Sequence, residues 1–180
     1  MLRYFTLRKI LLLSGIISIC ITGCTNKFVP IQGNYSNQFS QIVNSSLDIT
    51  WQKMIDLCSE EGLSIKILDK PSGLIGFEKP GIKWTFENQE DSSLSLKDPT
   101  AWVVLEKRFQ LGILSLPQNV TAEWTIRLKE INGRTNIFIN LISVKDNGIY
   151  STKNDRFVYE NIKQAFSTKV FEKEFMKQLQ

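Results

Sequence analysis

Residues 121–144 constrain the fold of this chain more than any other stretch. Trp124, Ile126 and Leu128 alternate with polar residues, Asn132-Gly133 follows, and Ile137, Ile139 and Leu141 alternate on the far side. Alternation with a period of two marks a strand with one buried face, and Asn-Gly is the favoured two-residue type I′ turn. The chain must therefore hold an antiparallel hairpin whose apolar face needs a cover.

Upstream, Trp51, Met54, Ile55 and Cys58 recur at helical spacing, with Asp48 or Thr50 as N-cap candidates and Gly62 where a helix ends in the left-handed conformation. This predicts an amphipathic helix. Leu63, Ile65 and Ile67 then alternate with Ser64 and Lys66, and the turn-forming run Asp69-Lys70-Pro71-Ser72-Gly73 leads into Leu74-Ile75-Gly76-Phe77-Glu78, which predicts a second hairpin. Ile82, Trp84 and Phe86 carry the alternation past Pro80-Gly81. The polar reach from Asn88 to Thr100 reads as a surface loop, and 101–109 returns to strand.

Residues 110–120, with Leu111, Ile113, Leu114 and Leu116, are unusually apolar for a connection, so they either join the core or form an exposed patch. From about residue 154 onward, Val158, Ile162, Ala165 and Phe166 share one helical face, and Phe171, Phe175 and Leu179 form a second, displaced stripe. A long C-terminal helix is expected, its second stripe packing within the molecule or meeting a partner. The predicted class is α+β: one domain over 47–180, with an antiparallel sheet packed against an N-terminal helix and a long C-terminal helix.

Between residues 25 and 46 half the side chains are Asn, Gln or Ser. So few apolar groups offset little chain entropy, and the stretch reads as a flexible polar tether. The alternative is that residues 28–31 pack on the domain as an extended arm.

The first nine residues carry Arg3, Arg8 and Lys9 without an acid, and Ile10 to Ile21 is almost wholly apolar, the order of a secretory signal. About 20 apolar residues are needed to span a bilayer as a helix. This run is shorter, so cleavage is expected. The run ends in Ile21-Thr22-Gly23-Cys24, which resembles a bacterial lipobox. That resemblance implies cleavage between Gly23 and Cys24, a diacylglyceryl group on the Cys24 sulfur and acylation of the new amino group by a chain such as palmitate. Several acyl chains make anchoring stable where one is marginal. An ordinary secretory signal with a cysteine near its cleavage site is the alternative. In a Gram-negative envelope Thr25 implies outer-membrane sorting, with the domain facing the periplasm; otherwise the cell membrane is the site.

The order of helix, strand pair, further antiparallel strands and closing helix is similar to the helix-grip domains of the BamC/NlpB outer-membrane assembly lipoproteins. Trp51 to Cys58, Gly62 to Ile67, Asp69 and Gly73-Leu74-Ile75 carry the likeness. It implies a helix-grip fold and an envelope setting.

Charge and chemistry narrow the function. Of 22 basic and 18 acidic residues, 19 and 18 remain once residues 1–23 are removed, net about +1, which gives no electrostatic case for nucleic acid. Cys20 leaves with the signal and Cys24 is lipidated, so Cys58 is alone and no disulfide forms within the mature chain; it reads as a small buried apolar residue. The chain has no histidine, which removes Ser-His-Asp and Cys-His nucleophile arrangements and histidine metal sites. The carboxylate pairs Glu60/Glu61, Glu90/Asp91 and Glu172/Glu174 lie in polar surroundings and read as solvated surface. No catalytic residue, metal or cofactor is expected.

The expected role is a lipid-anchored, non-catalytic interaction or assembly component, joined to the membrane through Cys24 and to an envelope protein partner. Leu111, Ile113, Leu114, Leu116, Phe171, Phe175 and Leu179 are the candidate partner contacts. A carrier of a small apolar ligand or lipid, using a cavity between sheet and helix, is the alternative.

Overall fold

The computed structural model describes residues 27–89, 94–110, 113–117, 119–151 and 156–179. In chain order its elements are β1 (Lys27–Val29), β2 (Gln38–Val43), α1 (Leu47–Glu60), β3 (Ser64–Asp69), β4 (Leu74–Lys79), β5 (Trp84–Thr85) and β6 (Val103–Leu105). There follow β7 (Lys107–Gln110), β8 (Ile113–Ser115), β9 (Val120–Ile131), β10 (Arg134–Ser151), β11 (Arg156–Asn161), β12 (Ala165–Ser167) and α2 (Val170–Lys177).

The expected central hairpin is β9 and β10. Ile131 pairs with Arg134, leaving Asn132 and Gly133 as the loop at φ 54° and 72°. Two successive positive φ values are what a type I′ turn demands, and Asn and Gly tolerate them best. The β3–β4 hairpin pairs onto the far edge of β9, so β3, β4, β9 and β10 lie in that order, all antiparallel.

β10 is 18 residues long, enough to carry two strands on its other edge. β2 pairs with its first part, Thr135 to Asn140, and β11 with its last, Lys145 to Ser151. Among the described residues there are two further small sheets: β12-β6-β5, in which β5 and β6 run parallel, and the antiparallel β1-β7-β8.

One face of the six-stranded sheet is the core face. It presents Ile75 and Phe77 from β4, Ala122, Trp124, Ile126 and Leu128 from β9, and Ile137, Ile139 and Leu141 from β10, all buried. A register shift between Leu141 and Ser143 then inserts Ile142 as an extra residue, which is 59 % exposed. A bulge exchanges the two faces of the strand beyond it. Val144 and Asp146 consequently turn inward, while Ser143 and Lys145 reach Glu123 on the outer face at 2.7 and 2.6 Å. Those two contacts hold the Glu123 carboxyl below the ordinary carboxylate range.

The helix α1 covers this face with Trp51, Met54, Leu57 and Cys58. Its end is the expected one. Gly62, at φ 63°, donates to the Ser59 carbonyl and Leu63 to the Cys58 carbonyl, the paired bonds of a Schellman motif. Its start differs: Ser46 is the N-cap residue without a side-chain bond, and the Leu47 N–H donates instead to Glu130 Oε2 of β9 at 2.9 Å. Neither Asp48 nor Thr50 caps the helix because a carboxylate from the sheet takes the exposed amide.

The C-terminal region overturns the α+β, helix-grip expectation. Residues 156–161 and 165–167 are β11 and β12, and only the eight residues Val170–Lys177 are helical. Among the described residues the protein is mostly β, with two short helices. Arg156-Phe157-Val158-Tyr159 is rich in strand formers and finds a ready edge on the last part of β10, so tertiary pairing overrides the helical spacing of Val158, Ile162, Ala165 and Phe166. The polar stretch read as a tether also differs, since β1 and β2 build it into two sheets.

The core centres on packed aromatic rings. Phe171 of α2 lies 4.7 Å from Trp124 and 4.8 Å from Trp102, and Trp124 lies 5.8 Å from Phe77. Each fully buried phenylalanine contributes about 1.5–3 kcal/mol of transfer free energy.

Candidate functional site

The end of the molecule where the N-terminal arm joins the domain gathers most of its buried polar chemistry. β1 pairs antiparallel with β7, Lys27 opposite Phe109, Phe28 opposite Arg108 and Val29 opposite Lys107. The Phe28 ring faces two cations, the Arg108 guanidinium at 5.8 Å and the Lys163 ammonium at 5.5 Å. Ring quadrupoles attract such cations, and a desolvated one most strongly.

Past β1 the arm is held by a carboxylate. Glu87 is buried, and its Oε2 and Oε1 accept the main-chain N–H groups of Gln32 and Gly33 at 2.7 Å each. Burial, with Glu87 beside it, pushes the Tyr35 hydroxyl above its ordinary range. The approach at Gly33 is so close that a Cβ would stand 2.6 Å from Glu87 Oε1. Further on, Asn37 bridges to β12: its Oδ1 accepts the Ser167 N–H at 3.1 Å, and its own carbonyl accepts the Leu141 N–H of β10 at 3.0 Å. The arm thus ties all three sheets together.

The charged side chains beneath it follow from the β10 bulge. Asp146, turned inward, stands 3.9 Å from Arg108 of β7, and both are buried. Nearby, Glu106 Oε1 accepts the Lys163 N–H at 2.9 Å, which fixes the backbone under Phe28. These contacts position and rigidify the site.

The residues expected from sequence fall in three places. Gly23, Cys24 and Leu111 lie outside the described residues. Ile113 and Leu114 stand on β8, and Leu116 beyond it is 50 % exposed. Phe171, Phe175 and Leu179 are buried in the core, so this stripe packs within the molecule and presents no surface to a partner. Phe171, Phe175 and Leu179 belong with Trp51, Met54 and Phe77 to one buried apolar cluster.

Cys58 is fully buried, and burial pushes its thiol up to about 12, leaving it protonated. Of the carboxylate pairs, Glu90 and Asp91 lie outside the described residues, and Glu61 accepts from Gln178 at the surface. Glu172 departs from the solvated reading: it is fully buried and accepts the Ser167 hydroxyl at 2.6 Å. The signal for it was present in the helical spacing that puts Glu172 on one face with Met176, between Phe171 and Phe175. Glu87, Glu106, Arg108 and Asp146 carried no such local signal. Among the described residues no helix is long and apolar enough to cross a membrane, and no three His, Cys, Asp or Glu residues converge to hold a metal ion. Comparison with protein-family models and with curated proteins finds no match for this chain.

Proposed function

We propose that this protein is a lipid-anchored lipoprotein of the bacterial envelope, facing the periplasm and sorted to the outer membrane in a Gram-negative cell, where it serves as a non-catalytic interaction or assembly component with an envelope protein partner. The observation that carries the reading is Ile21-Thr22-Gly23-Cys24 at the end of a basic and then apolar leader. Cleavage before Cys24 leaves two residues between the acylated cysteine and the first strand, Lys27–Val29. An anchor so close holds the domain at high local concentration beside membrane partners, so weak contacts suffice. The Glu87, Glu106 and Asn37 contacts around the arm support a structural role, since each fixes main chain.

Cys24→Ala tests the reading. The variant is expected to move from the membrane to the soluble envelope fraction and to accumulate as an uncleaved or differently cleaved precursor. Unchanged membrane retention together with unchanged mass overturns it.

A further inference from the structure

The six-stranded sheet has a second face, opposite the one that packs on the core. On β10 the residues between the buried Ile137 and Ile139 and to either side of them point there, so Asn136, Phe138 and Asn140 share that outer face. Pairing places Ser40 of β2 and Arg127 of β9 directly opposite Phe138, and Gln38 opposite Asn140. Lys129 lies one row further, opposite Asn136. Phe138 is 38 % exposed at the centre of this array, and Gln38, Ser40, Arg127 and Lys129 are exposed around it. Side chains directly opposite on one face stand about 4.5–5.5 Å apart and diagonal ones about 7–8 Å. An open aromatic ring is thus flanked by a hydroxyl, three amides and two cations.

Phe138 also belongs to two clefts. One, of about 630 Å³, includes Arg127, Lys129, Ser72 and Gly73, at the end where β9 runs on past its last pair with β4. The other, of about 370 Å³, includes Ser36, Gln38, Ser40 and Asn140. Clefts of about 300–1,000 Å³ suit small ligands. The acids nearby are already engaged. Glu78 pairs with Lys66 at 2.7 Å, Glu123 with Lys145 at 2.6 Å, and Asp69 accepts the Ser72 hydroxyl at 2.7 Å. Glu130, at the rim of the larger cleft, takes the Leu47 N–H. Among the described residues, by contrast, Arg127 and Lys129 have no carboxylate partner, and the side chains of Gln38, Ser40, Asn136 and Asn140 make no hydrogen bond.

We propose that this face binds an anionic oligosaccharide, with a carboxylate- or phosphate-bearing sugar beside Arg127 and Lys129 and its neighbour against Gln38, Ser40 and Asn140. Each group fits one part of such a ligand. The negative face of the Phe138 ring takes the C–H groups of a sugar's apolar side. Amides and hydroxyls both donate and accept, as sugar hydroxyls do, whereas the carboxylates of an acidic peptide only accept. Two cations suit sparse anionic groups rather than the dense charge of a nucleic acid. From β2 to β9 the face spans about 10 Å, room for two linked sugar rings. The inference goes beyond the functional reading and does not require the lipid anchor.

The experiment titrates the full chain, in neutral detergent, with four probes followed by calorimetry: tetragalacturonate, its uncharged methyl ester, a mannose tetramer carrying phosphate, and tetraglutamate. One or both charged sugars are expected to bind about tenfold or more tighter than the ester and the peptide, and the tighter one identifies the charged group. Phe138→Ala is expected to weaken that binding about tenfold. Phe138→Leu, which keeps the bulk and loses the ring, should weaken it in the same direction, so the prediction survives if the alanine variant is poorly folded. Arg127→Gln combined with Lys129→Gln should erase the preference for the acid over its ester. Lys53→Gln removes the same charge from the exposed side of α1, beyond the opposite face of the sheet, and should change nothing. Failure of both charged sugars to bind overturns the inference, as does equal binding of the ester or of tetraglutamate. Binding that is untouched by Phe138→Leu, or weakened as much by Lys53→Gln as by the Arg127 and Lys129 changes, overturns it too.

Discussion

Glu87 is 3 % exposed, and its two oxygens accept consecutive main-chain amides from a segment more than fifty residues earlier in the chain. Hydrogen bonds to a charged acceptor contribute about 1.5–3 kcal/mol, and a buried amide left without its partner costs about 1–3 kcal/mol. Glu87→Ala is therefore expected to lower the unfolding free energy by about 2–4 kcal/mol. Gly33→Ala attacks the same clamp from the other side, through a Cβ set against Glu87 Oε1 and the Tyr35 ring. Because both changes undo one arrangement, the double variant should lose at least about 1 kcal/mol less than the sum of the two. Urea unfolding of the four proteins measures this; strict additivity would mean the two residues act independently. Nothing in Trp84-Thr85-Phe86-Glu87 marks the carboxylate as buried, since its partners are set by how the arm crosses the domain. Cys58 was legible for the opposite reason: its place beside Met54 and Trp51 at helical spacing is local.

At the scale of elements, the turns were readable because their chemistry is confined to a few residues. Gly62, Gly73 and Gly133 all have positive φ, yet they should not respond equally to substitution. A Cβ at Gly62 or Gly133 meets nothing within 4 Å, so alanine there imposes only the left-handed backbone, about 1 kcal/mol. A Cβ at Gly73 would overlap the Leu128 carbonyl oxygen as well, where β4 enters the sheet. Gly73→Ala should cost about 3 kcal/mol or more, since overlap adds to the backbone term; equal melting temperatures for the three variants would refute that ranking. The C-terminal segment was not readable in the same way. Its apolar residues satisfy a helical period, and only the unpaired length of β10 beyond β2 selects the strand. The start of α1 behaves alike: its end is written in Gly62, but its first amide is taken by Glu130 from β9.

For the whole molecule, the arm decides where the folding unit begins. Sequence composition placed the boundary at residue 47, after a polar stretch with little to bury. In the structure β2 covers the first part of β10, Thr135 donates to the Ser45 carbonyl across 90 residues, and Asn37 meets Ser167 across 130. A chain starting at Leu47 is thus expected to lose its cooperative thermal transition and its dispersed amide resonances, whereas a chain starting at Thr25 keeps both. A cooperative melt from the shorter chain would restore the tether reading. Sequence by itself determined what is written within a few neighbours: the amphipathic helix with its glycine end, the two hairpins, and the want of histidine chemistry. Tertiary structure alone decided the mostly-β class, the inward turn of Asp146 toward Arg108, and the burial of Glu87 and Glu172. The division is physical: local signals act through periodicity and backbone preference, whereas strand partners and buried charges are chosen by which edges and cavities remain open once the chain has closed on itself.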